Sequence, residues 1–251
     1  MNFILKKYMR HFVLFCLCSA LIPVFESCNA IYVPATPSTP VFAKGNSLKL
    51  NTTVGATGLN ASLDYSPITH YYLGGEWHGT KLDSNSHLNA GAHVGYYFSP
   101  NGENSILNFQ VGYNYGNGHY ADVYDSTDSH LYKTNFVYET YHVQVFYVND
   151  YRQSKFFGVG LRYDYYHGNY ANEFSPFFIK SIPRKTSLPM AFVFFEYSFG
   201  RNSTWNLNAT GGVQLSTANI TDKDISQDVP GFYTNFFFRA GIAYQIHFGK
   251  K

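Results

Sequence analysis

The sequence predicts an all-β fold, an antiparallel transmembrane β-barrel of about ten strands, with eight as the smaller alternative. Three observations predict it. From about Leu48 to Phe248, segments of about ten residues alternate apolar with small polar side chains. The clearest is Trp205-Asn206-Leu207-Asn208-Ala209-Thr210-Gly211-Gly212-Val213-Gln214-Leu215; a period of two means a strand with two unlike faces. Second, the polar face is amide and glycine rather than Lys and Glu, which suits a narrow wet interior with lipid outside. Third, charged residues are 14% and aromatics 19% of the chain. A water-soluble sandwich or barrel, the competing architecture, needs a Lys- and Glu-rich exterior.

The chain opens with Lys6, Lys7 and Arg10, then the apolar run from His11 to Ile22. That run is too short for a permanent spanning helix and reads as an export signal over 1–27, outside the fold. No later stretch approaches a spanning helix, so membrane insertion requires a closed barrel. Phe25-Glu26-Ser27-Cys28-Asn29 closes the signal. A single Cys just past an apolar run, with Ser before it, has the form of a bacterial lipoprotein processing site, at which Cys28 is acylated. Ordinary cleavage after Ala30 is the other reading, and both stay open. Cys16 and Cys18 lie inside the signal, so the mature chain has no internal disulfide.

Residues 28–45 follow as an expected extended tether. Pro34, Pro37 and Pro40 recur every third residue, a spacing that favours a semi-rigid extended chain. The barrel itself is expected over 46–251. Its segments run approximately 47–56, 58–66, 69–79, 87–98, 105–116, 133–148, 155–167, 186–198, 203–216 and 231–248. Short turn-rich links (Ser66-Pro67-Ile68, 99–103, 149–152 and 200–202) alternate with longer connections over 80–86, 117–132, 168–185 and 217–230. That alternation is expected of short periplasmic turns and longer extracellular loops. An even strand count then returns both termini to the periplasm.

Parity assigns the faces. Leu88 to Phe98, Leu107 to Tyr115, Val159 to Tyr165 and Phe236 to Phe248 each place alternate apolar residues outward, with tyrosines gathering near strand ends as at a headgroup boundary. Half of each strand and every connection is polar, hence the mean hydropathy of −0.21. The same parity turns Asp64, Glu76, His93, Arg162, Asp164, Glu196 and Arg239 inward as a lumenal polar network. An unpaired charge there costs several kcal/mol, so these groups are expected to pair or hold water. At this strand number side chains nearly fill the lumen. Gly91 and Gly95 lie on a strand, where they let inward neighbours fit, so phosphate-loop and helix-dimer readings fail.

Near the C-terminus, Gly241, Tyr244, Ile246 and Phe248 form a polar-x-Gly-x-x-apolar-x-apolar pattern resembling the final-strand signal read by barrel-assembly machinery. Enzymatic readings are weaker. An outer-membrane protease needs paired carboxylates and an Asp–His couple at the rim; His78, His119, Asp122, Asp125, Asp128, His130 and His167 are the nearest candidates, with Asp164 beside His167. A lipid-modifying enzyme needs a strand His, and His142 and His93 read better as hydrogen-bonded filler. No His and acid pair repeats at metal-ligand spacing, so no metal and no cofactor are expected. The net charge of +2 is too small and too dispersed to imply a nucleic-acid partner, so none is expected.

Taken together, the leader, Ile31-Tyr32-Val33-Pro34 with Pro37 and Pro40, and Ala61-Ser62-Leu63-Asp64-Tyr65-Ser66-Pro67 resemble a family of outer-membrane β-barrel lipoproteins of the Bacteroidota. The resemblance implies the outer membrane of a Gram-negative cell envelope and no catalytic residue. The expected function is therefore a non-enzymatic barrel in contact with outer-membrane lipids, whose surface loops 117–132 and 168–185 bind a ligand or partner protein. A rim-site hydrolase and a narrow pore are the alternatives.

Overall fold

The computed structural model describes residues 37–42, 45–55, 58–82, 85–100, 104–123, 131–149, 154–175, 178–199, 204–220 and 229–248. They form ten strands: β1 (Ser47–Gly55), β2 (Gly58–Ile68), β3 (Tyr71–Leu82), β4 (Asn85–Phe98), β5 (Ser105–Val123), β6 (Leu131–Asn149), β7 (Lys155–Ser175), β8 (Phe178–Phe199), β9 (Trp205–Ile220) and β10 (Val229–His247). Each pairs antiparallel with its sequence neighbours, and β1 closes on β10 from Ser47↔His247 to Gly55↔Arg239. Closure leaves no edge, the condition for a sheet in lipid. Among the described residues no helix is long and apolar enough to cross a membrane. The one irregularity near the β2–β3 turn falls between Tyr65 and Ile68, around Pro67, which has no N–H to give the ladder.

The strands are unequal. β1 has 9 residues and β8 has 22. Most of 117–132 and 168–185, expected as loops, is strand: β5 runs on to Val123, β6 starts at Leu131, β7 reaches Ser175 and β8 starts at Phe178. Aromatic and β-branched residues such as Tyr120, Val123, Tyr170 and Ile182 suit a pleated ladder. Polar residues between them had made these stretches look like connections.

The outer wall is apolar over a bounded height. On β5, Phe109, Val111, Tyr113 and Tyr115 are exposed, and Asn117 beyond them begins a polar stretch. At about 3.3 Å per residue and a tilt near 40°, Leu107 to Tyr115 spans roughly 20 Å, close to the height of a lipid-facing band. One step above Tyr113 and Tyr141, the cross-strand row turns polar, as Glu139 pairs with His167 and His167 with Lys185. At the short-turn end, Tyr71 stacks near Tyr96 at 5.1 Å and Trp205 near Tyr244 at 4.6 Å. These rings make a girdle at each edge of the band.

Candidate functional site: the occupied lumen

The lumen is built on a simple rule. At several inward glycines the cross-strand partner is a ring lying over the glycine. Tyr72 pairs with Gly95, His142 with Gly112, Tyr138 with Gly116, Phe194 with Gly158 and Phe192 with Gly160. A Cβ at any of these glycines would collide with the ring. The rings therefore lie flat on the wall instead of projecting into the bore.

The same gaps let polar groups meet across an intervening strand. Gly74 of β3 stands between Asp64 of β2 and His93 of β4, and the two meet over it, Oδ1 to Nε2 at 2.6 Å. Gly91 stands between Glu76 and Asn114; the Asn114 amide donates to Glu76 Oε1 at 2.6 Å. Gly95 stands between Tyr72 and Gln110; the single Tyr72 hydroxyl proton is shared between Asn108 Oδ1 at 2.8 Å and Gln110 Oε1 at 3.0 Å.

Charged side chains tie opposite walls together. Arg162 on β7 donates to Asp164 Oδ1 at 2.8 Å on its own strand and reaches Glu76 on β3 at 3.4 Å. Lys49 of β1 meets Glu196 of β8 at 2.6 Å. Arg239 of β10 lies 3.3 Å from His78 Nδ1 of β3, which also contacts Asn60 at 2.8 Å. All seven inward groups singled out in the sequence are buried. Asp64, Glu76, His93, Arg162 and Asp164 cluster, while Glu196 and Arg239 stand apart with partners of their own. Sequence reasoning missed Lys49, although its flanking Leu48 and Leu50 already set the parity.

It also missed the main occupant. Residues 37–42, expected as part of the extended tether over 28–45, lie inside the barrel. Pro37, Ser38, Pro40, Val41 and Phe42 are buried. The Ser38 hydroxyl contacts Asp64 Oδ2 at 3.2 Å, and its carbonyl accepts from Gln144 Nε2 at 2.7 Å. Phe42 packs against Tyr72 and Tyr97, with centroids at 5.9 and 6.3 Å. Beside Pro37 remains a cavity of about 20 Å³ lined by Asn51, Thr53, Asn60, Glu76, His78 and Asn89, room for about one water. Towards the long-strand end, His87, Phe136, Tyr138 and Tyr166 stack; His87 and Tyr138 are nearly parallel at 5.6 Å and bonded at 2.5 Å.

Among the described residues, the rim-site candidates do not assemble. Asp164 faces the lumen, and His167 falls on the outward parity of the same strand, so they form no couple. His119 is held by Asn135 at 2.8 Å. Asp125, Asp128 and His130 lie outside the described residues, as do Cys28 and the signal; for Asp122 only the backbone is described. The Asp–His couple present, Asp64–His93, is buried mid-lumen. Its neighbours Ser38 and Ser62 bond to the carboxylate, not to the imidazole that a nucleophilic serine needs as base. Among the described residues no group of three His, Cys, Asp or Glu is placed to hold a metal.

The final-strand residues have separate local roles. Gly241 faces inward against Thr52 and Thr53, with no room for a Cβ. Tyr244 covers Trp205, Ile246 is half-buried, and Phe248 is exposed.

No protein-family model and no curated protein matches the chain. Among solved structures, it is similar to outer-membrane β-barrel proteins. CarO2 of Acinetobacter baumannii matches with 10% identity over 80% of this chain and 98% of that one, TM-score 0.28. CarO of Acinetobacter baumannii matches with 12% identity over 78% and 96%, TM-score 0.27. A structure from work on in-meso crystallisation of membrane proteins shows 14% identity over 82% and 84%, TM-score 0.33. At such scores the likenesses carry no argument, and the barrel rests on its own strand register.

Proposed function

We propose that the protein is a non-enzymatic outer-membrane barrel with a shut lumen, whose long-strand end presents a binding surface above the bilayer. The observation that carries this is the contrast between an uncharged apolar outer band and a lumen crossed by Arg162–Glu76 and Lys49–Glu196. A soluble barrel inverts that arrangement. The hairpins of β5–β8 run furthest past the apolar band, and long extensions belong on the outer side, which puts the start of β1 and the end of β10 in the periplasm. The partner binds the extended β-surface of 117–123, 168–175 and 178–185. The leader supports export and acylation at Cys28, as in the Bacteroidota barrel lipoproteins it resembles, and the pattern ending at Phe248 supports recognition by assembly machinery.

Purified protein reconstituted in planar bilayers tests the central reading. The expected result is stable insertion, seen as a heat-sensitive shift in gel migration, with a flat current trace. Protein that stays monomeric and dispersed in buffer without detergent overturns the membrane placement. Regular current steps from the wild type overturn the shut lumen. For the anchor, incorporation of a palmitate analogue is expected in the wild type and lost in Cys28→Ser.

A further inference from the structure

We propose that the lumen is a receptor for an extended, proline-containing peptide, occupied in cis by Pro37–Phe42, and that this segment is the plug that keeps the barrel shut. The inference rests on the membrane placement proposed above and goes beyond it by naming what closes the bore. Three features make the segment a bound ligand rather than a strand of the wall. It joins no ladder: its backbone is neither strand, helix nor turn. It is held at both ends by complementary chemistry, Ser38 between Asp64 of β2 and Gln144 of β6, and Phe42 in the ring pocket of Tyr72 and Tyr97. And the wall makes way for it, because Tyr72 and His142 lie flat over Gly95 and Gly112.

The residue types fit such a bound state. Pro37 and Pro40 have no N–H to leave unsatisfied inside a barrel and lose little freedom on being held extended. At about 3.1 Å per residue, the six residues line at most roughly 19 Å of the bore. That is nearly the height of the apolar band, so removing them opens most of the path through it. The charged ties Arg162–Glu76 and Lys49–Glu196 and the stacked rings of His87, Phe136, Tyr138 and Tyr166 remain as constrictions in that path, giving a narrow pore and not a wide one.

The test uses the full chain with residues 37–42 deleted, and separately the full-length Phe42→Glu, which keeps chain length and unseats the aromatic anchor. Both are refolded into planar bilayers beside the wild type, with barrel formation scored by the heat-sensitive gel shift. The expected result is discrete current steps for the deletion and intermittent steps for Phe42→Glu, against a flat wild-type trace. A synthetic peptide of residues 35–44 is expected to block the deletion's current at concentrations where a scrambled peptide does not. If the deletion fails to fold, Phe42→Glu carries the test. A folded variant as silent as the wild type overturns the plug, and current unaffected by the peptide overturns the receptor. A wild type that does not insert at all overturns the membrane placement instead, so the two failures are distinguishable.

Discussion

Two walls of the lumen are built on different physics. β1 and β2 face it with Ser47, Lys49, Asn51, Thr53, Asn60, Ser62, Asp64 and Ser66, all small and polar apart from Lys49. β8 faces it with Leu188, Met190, Phe192 and Phe194 before reaching Glu196. The first wall is held by directional bonds that need both partners. The second is held by rings lying over the glycines of β7, and apolar volume is more forgiving of exchange. The comparison says that damage to this barrel depends more on which wall is touched than on how large the change is.

The largest expected effect is at the charged tie that crosses the lumen between these walls, from β7 to β3. Arg162→Met strands Asp164 and Glu76 as buried carboxylates, and removing one partner of such a set costs about 3–5 kcal/mol. Urea unfolding in lipid vesicles measures it. The triple change Arg162→Met, Asp164→Asn, Glu76→Gln is expected to recover most of the loss; if the single change is as stable as the wild type, the ties are not holding the walls.

Next comes a matched pair of glycines. Gly74→Ala pushes Asp64 and His93 apart, and unpairing buried charge-assisted bonds costs about 1–3 kcal/mol or more. Gly160→Ala presses on the ring of Phe192; overpacking of this kind costs about 1–3 kcal/mol and is relieved by a smaller partner. Adding Phe192→Leu is therefore expected to rescue Gly160→Ala, whereas no apolar second change on β2 or β4 rescues Gly74→Ala. Equal rescue on both sides removes the distinction between the walls.

The same contrast explains how much was legible in the sequence. On β4, β5 and β9 the inward set is mostly amide, histidine and glycine, with Tyr97 and Ile106 only at the short-turn end, against an aliphatic and aromatic outward set, so parity alone sorts lumen from lipid. On β8, Met190-Ala191-Phe192-Val193-Phe194-Phe195 is apolar on both faces, and only Glu196 marks the inside. Periodicity carries no signal when both environments are apolar. That is why parity does not assign the inward rings of β6 and β8, Phe136, Tyr138, Phe146, Phe192 and Phe194. The segment 37–42 was illegible for another reason. Its prolines report an extended chain but not what surrounds it, and the groups that receive it, Asp64, Tyr72, Tyr97 and Gln144, come from four different strands. Strand ends were underestimated wherever a polar, tyrosine-rich stretch reads equally as loop or as ladder outside the lipid band.

A third prediction sharpens the edge of the band. Val111 sits midway between Leu107 and Tyr115 and is 51% exposed. A lysine there at the centre of a bilayer costs about 2–4 kcal/mol, falling towards the interfaces. Val111→Lys is therefore expected to unfold at markedly lower urea in vesicles, and Tyr115→Lys to cost less. Equal costs at both positions would mean that this face does not meet lipid.

The smallest effect is expected at His167, and its smallness is informative. The residue lies one row above the tyrosine girdle on the outward face, flanked by Glu139 and Lys185 on neighbouring strands, where solvent screens their interactions. His167→Ala is expected to change stability by no more than about 0.5 kcal/mol and to leave peptide and lipid cleavage assays at the wild-type background. Catalysis through Asp164 would require both side chains on one face of β7, yet three residues of separation along a strand put them on opposite sides. A one-residue slip of β7 would not bring them together, since it moves both side chains and leaves them on opposite faces; it would only turn Arg162 and Asp164 to the lipid and break the charged ties across the lumen. Loss of a measurable wild-type cleavage activity in this variant would therefore overturn the reading of His167 as a solvated wall residue.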